Sequence, residues 1–167
     1  TNVITKSDEI FERAKTVIPG GISGHYGSFV RKNGPKFFSK SDGSRFWDVD
    51  GNEYIDLMCA YGPMVLGYNH PVVNEAALEQ LKHGNTVSLA SPVMVDLAET
   101  IVDMVDAADW AMFSKNGGDT TAQAVLIARA ATGRKKIVKV KEGYHGVAAW
   151  MQEDRAGTTP ADTEHVL

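Results

Sequence analysis

Cysteine is almost missing from this chain: Cys59 stands alone among 167 residues. No internal disulfide can brace the fold, a reducing, cytoplasmic setting is the default, and one thiol in an apolar context reads as a small buried hydrophobe. Long apolar runs are missing too. Nothing approaches the roughly 20 residues of a membrane span, and the start lacks a charged stretch followed by an apolar leader core. A basic excess is absent: 17 Lys and Arg stand against 21 Asp and Glu, a net charge of −4. That balance gives no electrostatic footprint for nucleic acid or for anionic membranes. The five histidines, at 25, 70, 83, 145 and 165, include no i,i+4 pair and have no cysteine partners, so metal-ligand spacing is lacking. A phosphate-loop lysine is lacking as well, because Gly117-Gly118 runs into Asp119, which argues against a kinase or ATPase.

What remains is ordinary soluble-globular usage, 43% apolar and 23% charged, in a length sufficient for a sizeable core. Residues 110–146 organise the rest. Trp110-Ala-Met-Phe-Ser114 is a short apolar run, Lys115-Asn116-Gly117-Gly118 a turn, and Asp119 opens a helical stretch that Gly133 stops. Lys136-Ile-Val-Lys-Val140 returns as a strand and leads into Glu142-Gly143-Tyr144-His145-Gly146. The length suits one βαβ crossover. A glycine turn opening a helix leaves orphan N–H groups and a positive dipole end, which suit a phosphate, although such a turn can also be plain chain geometry. The second strand would end at the same sheet edge and carry Tyr144 to lie over a flat ring.

Before this unit the pattern differs. Ser7 can cap a helix with apolar positions Ile10, Phe11, Ala14, Val17 and Ile18, ended by Pro19-Gly20-Gly21. From residue 35 to 57, short alternating runs broken by Ser41-Asp-Gly-Ser44 and Asp50-Gly51 predict a three-stranded antiparallel meander packed by Phe46, Trp47 and Tyr54. Pro71 and Pro92 each announce a helix, the second with an apolar stripe, Met94, Leu97, Ala98, Ile101, Val102 and Val105, expected to be buried against a sheet or a partner subunit.

These residues together resemble the class III pyridoxal-phosphate aminotransferases, most closely the glutamate-1-semialdehyde aminomutase branch. Asn116-Gly117-Gly118-Asp119-Thr120 is similar to the family's Ser-Gly-Thr-Glu-Ala phosphate turn, and Tyr144-His145-Gly146 reproduces its Tyr-His-Gly loop. Asp48-Val-Asp-Gly-Asn-Glu-Tyr-Ile-Asp56 resembles the N-terminal hairpin, and Gly62-Pro-Met-Val-Leu-Gly-Tyr-Asn-His-Pro71 the signature segment. The resemblance implies an α/β, aspartate-aminotransferase-like fold, a mostly parallel sheet flanked by helices. Residues 1–60 would form a small α+β lobe with helix and meander, and residues 61–167 the first part of the large cofactor domain.

Pyridoxal 5'-phosphate is the implied cofactor, with Asn116, Gly117, Gly118, Tyr144 and His145 binding it. Arg31, which on sequence alone reads as a surface charge, matches an arginine that contacts the substrate carboxylate in the aminomutase branch. Tyr61 replaces a tryptophan of that branch and either shapes the substrate pocket or packs. The implied activity is transfer or isomerisation of the amino group of an amino acid, with a keto acid as the other partner, in a homodimer. The family's cofactor-linking lysine and the aspartate facing the pyridine nitrogen fall past Leu167, and Thr163-Glu-His-Val-Leu167 reads as the start of a further buried strand. The chain is therefore expected to be an N-terminal portion, inactive alone, completed by a C-terminal remainder or complementary chain. Two alternatives stand beside this: a catalytically inactive phosphate-ligand-binding or assembly module without the lysine, and an unrelated α/β phosphate-ligand enzyme.

Overall fold

The computed structural model describes residues 5–22, 34–152 and 157–167. It divides into two compact units, Thr1–Ser88 and Leu89–Leu167.

The first unit begins with helix α1, Lys6–Lys15. Its start departs from the sequence expectation. Ser7 lies inside the first turn, fully buried, and its Oγ accepts the Lys36 N–H at 3.3 Å. The cap comes instead from Asp50, whose carboxylate accepts the N–H groups of Thr5, Lys6 and Ser7 at 3.1, 2.7 and 3.0 Å. A carboxylate on the first turn satisfies orphan donors and favours the positive dipole end together.

The meander forms as expected, from β1 (Phe38–Asp42), β2 (Arg45–Asp48) and β3 (Glu53–Ile55), in that order and antiparallel. Phe46 pairs with Tyr54 in register, and their rings stack at 5.1 Å. Asp48 builds the β2–β3 turn from inside. It is fully buried, and its carboxylate accepts Asp50 N–H (3.0 Å), Asn52 N–H (2.8 Å), Asn52 Nδ2 (2.8 Å) and the Tyr54 hydroxyl (2.9 Å). Burial pushes its pKa up, but the bonds from Asn52, Tyr54 and Asp50 together outweigh burial and hold the carboxyl below the ordinary range.

After β3 the chain makes a left-handed run, with φ of 49° at Cys59, 49° at Ala60, 64° at Tyr61 and 115° at Gly62. Each non-glycine residue there costs about 1–2 kcal/mol. Asp56 anchors the run, accepting Met58 N–H at 2.8 Å and the Tyr68 hydroxyl at 2.7 Å. Tyr68 in turn exchanges backbone bonds with Gly43 in the β1–β2 turn, at 3.0 and 2.8 Å. This turn overturns the expectation for Cys59, which is exposed. Helix α2, Pro71–Lys82, follows with its proline in the first turn.

The second unit contains α3 (Pro92–Met104), α4 (Gly117–Thr132) and the short α5 (Pro160–Thr163). The apolar stripe of α3 is not buried here: Met94 is 44% and Leu97 48% exposed. Amphipathic spacing shows which side seeks cover and leaves open what covers it. Residues 110–114 carry no strand assignment, since a strand exists only with a paired neighbour. Ile137 does pair in parallel with Val166, through Ile137 N–H to His165 O (2.9 Å), Leu167 N–H to Ile137 O (2.9 Å) and Lys139 N–H to Leu167 O (3.0 Å). The expected strand at 163–167 is thus shorter, because α5 with its Thr159/Asp162 capping box takes its first residue, and Leu167 remains exposed. Among the described residues, the buried apolar side chains are Ala14 and Met151. No helix among them is long and apolar enough to cross a membrane.

Candidate cofactor-binding site

Helix α4 begins at Gly117, two residues before the expected Asp119, because Asn116 caps it. Asn116 is extended, and its Oδ1 accepts the Asp119 N–H at 2.9 Å while its Nδ2 donates to the Asp119 carboxylate at 2.9 Å. Thr120 N–H bonds the Asn116 carbonyl at 3.2 Å. The amides of Gly117 and Gly118, at the first two helical positions, have no acceptor within the helix. Gly133, at φ 67°, ends α4 with its N–H on Arg129 O at 2.9 Å.

The two glycines face different surroundings. A Cβ on Gly117 would meet nothing within 4 Å, so the turn opens onto free space on that side. A Cβ on Gly118 would lie 3.3 Å from Gly146 Cα, so there the turn packs against the Tyr144-His145-Gly146 loop. Gly146 is buried at φ 127°; a Cβ there would stand 2.7 Å from Gly118 Cα and 2.4 Å from Met151 Sδ. The two motifs, 28 positions apart by number, meet backbone to backbone.

Several bonds hold the loop in place. Thr121 Oγ1 lies 2.7 Å from the His145 carbonyl and 3.0 Å from that of Gly118. Gln152 Nε2 donates to Gly146 O, and Lys139 Nζ to Met151 O at 3.1 Å. His145 Nε2 sits 3.2 Å from Val140 O; a carbonyl only accepts, so this nitrogen carries a proton and the ring braces its own loop. Tyr144 is 71% exposed at the loop's crest.

Of the residues read from sequence, Asn116, Gly117, Gly118, Tyr144 and His145 are thus brought into one region of the second unit. Tyr61 belongs to the first unit, on the left-handed run and 47% exposed. Arg31 lies outside the described residues. Thr121, Met151 and Gln152 escaped the sequence reading. Thr121 stands three positions after Gly118, on the same helix face, which is the signal that would have found it.

The arrangement suits a phosphorylated planar cofactor. Two amides without an acceptor inside the helix lie in a glycine turn with open space beside Gly117, the dipole of a 16-residue helix favours an anion there, and an aromatic-bearing loop is packed onto the same turn. Asp119 opposes an anion at this end, but its carboxylate is tied to Asn116. Among the described residues, no group of three His, Cys, Asp or Glu could hold a metal.

The family described as Aminotransferase class-III matches residues 28–151. The chain is 46% identical over 163 residues to an aminopentol aminotransferase of Sphingopyxis macrogoltabida, covering 97% of this chain and 39% of that protein. It is 40% identical over 143 residues to a glutamate-1-semialdehyde 2,1-aminomutase of Desulforamulus reducens, covering 84% and 33%. The pyridoxal-phosphate form of the FumI protein of Sphingopyxis sp. MTA144 superposes with a TM-score of 0.91 at 46% identity, over 96% of this chain and 39% of that one. The chain therefore spans about two-fifths of the length of these relatives or less. Matches fall on aminotransferases as well as aminomutases, so the likeness is to the family and not to the aminomutase branch in particular. With the glycine turn, the Tyr-His-Gly loop and this fold in agreement, the chain belongs to the class III aminotransferases, which work with pyridoxal phosphate.

Proposed function

We propose that this chain supplies the phosphate seat and ring cover of an aminotransferase, with Gly117 and Gly118 amides receiving the cofactor phosphate, Asn116 shaping the turn, and Tyr144 lying over the ring with His145 bracing its loop. The observation that carries the reading is the packing of Gly118 on Gly146, which places the two motifs together. When bound, pyridoxal phosphate supplies the electron sink through which an amino group is moved. The protein's share is to hold phosphate and ring and to orient the substrate. Amino transfer is favoured over isomerisation by Tyr61, which departs from the tryptophan of the aminomutase branch, and by the higher identity to a named aminotransferase.

In this reading the active enzyme is a homodimer, and the cofactor-linking lysine comes from a part of the protein other than residues 1–167. Residues 1–167 alone are expected to give no amino transfer. The complete enzyme should take up pyridoxal phosphate with a visible absorbance that borohydride bleaches; a colourless protein unaffected by the reagent would overturn the assignment.

Arg31 is proposed to hold a substrate carboxylate with paired hydrogen bonds. Arg31→Ala should then lower kcat/KM for amino acids by about 100-fold, in line with about 2–3 kcal/mol for a charged bond, and leave simple amines nearly untouched. The name of the 46% identical relative specifies an aminopentol, which favours a second reading, an amino alcohol as donor. Equal loss of both substrate types in the Arg31 variant would remove the carboxylate role.

A further inference from the structure

We infer that Thr121 is a positioning residue for the bound cofactor: its hydroxyl fixes the Tyr144 loop against the glycine turn, so that ring cover and phosphate seat keep one spacing. The inference rests on the proposed cofactor reading and carries it one residue further.

Thr121 sits on α4 just past the turn, and its Oγ1 faces three groups: His145 O at 2.7 Å, Gly118 O at 3.0 Å and Met151 Sδ at 3.9 Å. The hydroxyl has one proton and both carbonyls only accept, so the two compete for it. The shorter path leads to His145, the neighbour of Tyr144. The alternative, back to a carbonyl three residues earlier, is the local bond any helical threonine can make. What distinguishes Thr121 is therefore the bond across 24 residues to the loop.

Beneath that bond the chain has no side chain to set the distance. Gly118 and Gly146 touch through their backbones, and Gly146 has no room for a Cβ. Glycine contacts limit approach but supply no directional hold. Thr121 supplies it, joined by Gln152 on the Gly146 carbonyl.

The phosphate seat needs the turn alone, whereas the ring cover needs the turn and the Thr121 bond. Loss of the hydroxyl should separate the two. In the complete enzyme, Thr121→Val replaces the hydroxyl with a methyl group of similar size and similar helix propensity, and Thr121→Ser keeps the hydroxyl. We expect Thr121→Val to speed pyridoxal-phosphate dissociation about tenfold, as for one lost hydrogen bond, and Thr121→Ser to stay within about twofold of wild type. Competition by inorganic phosphate for the cofactor-free enzyme should be equal in all three. Amide exchange across 144–147 should quicken in Thr121→Val only; Thr121→Ala serves the same purpose should the valine variant fail to fold. Unchanged cofactor dissociation in the hydroxyl-free variants would overturn the inference, as would parallel loss of phosphate and cofactor, which would mark a merely structural threonine. A wild-type enzyme that takes up no pyridoxal phosphate would overturn the proposed function itself, and this inference with it.

Discussion

Gly146 has little freedom to change. Its φ of 127° lies where L side chains are strained, and an added methyl would press on the Gly118 backbone, which cannot swing aside as the Met151 side chain can. Gly146→Ala should destabilise the second unit by about 1–3 kcal/mol and weaken pyridoxal-phosphate binding at least about tenfold, read by denaturant titration and by cofactor titration of the complete enzyme. At this scale the sequence was informative where a motif exists. Tyr144-His145-Gly146 and the Asn116 turn could be named because their residue types and order match motifs of the family. Thr121 could not, since a threonine early in a helix bonds its own backbone in most proteins, and only the fold reveals that its hydroxyl reaches His145. Cys59 misled for the opposite reason: its apolar neighbours suggested burial, whereas the left-handed turn carries it outward.

Elements were legible to the degree that they are local. Helices α2 and α3 start where proline sets them, the meander follows from alternation and its Asp50-Gly51 turn, and α4 starts at Gly117, two residues before the expected Asp119, because Asn116 caps it. The cap of α1 was not legible, because the Ser7 signal is local and the actual acceptor, Asp50, lies 43 to 45 positions later. Asp50→Ala removes three hydrogen bonds at the helix start, and an expected cost of about 1–2 kcal/mol follows from measured caps. Amide exchange at Thr5, Lys6 and Ser7 should rise selectively while α2 is unaffected. Exchange rates unchanged at these three would show that the cap carries no weight. The runs flanking α4 read as strands of one parallel sheet, but residues 110–114 carry no strand assignment and Ile137 alone of 136–140 forms a bridge, with Val166, among the described residues, because strand pairing rests on contacts far apart in sequence.

At the scale of the whole molecule, two carboxylates link stability to pH. Asp56 is held below its ordinary value of 3.8 chiefly by the Tyr68 hydroxyl, and Asp48 is lowered by its bonds from Asn52, Tyr54 and Asp50 despite burial. A folded pKa below the unfolded one means that each carboxylate stabilises fully above the unfolded value and loses that contribution as pH falls through the folded value. The first unit should therefore hold a constant denaturation midpoint from neutrality to about pH 5 and lose stability below about pH 4. Tyr68→Phe should flatten part of that acid limb in midpoints measured between pH 7 and pH 3; an unaltered limb would remove Asp56 from the account.

The carboxylate of Asp50 also sets an order of events during biosynthesis. When α1 leaves the ribosome its first turn lacks the acceptor it will use, and about 45 further residues must be added before the hairpin can deliver it. At about 5–20 residues per second that is a wait of roughly 2 to 9 s, far longer than the microseconds a helix needs to form and melt. The first turn of α1 thus stays exchangeable in the nascent chain until the β2–β3 turn has closed, and a ribosome stalled before residue 50 would carry a helix that has not yet been fastened.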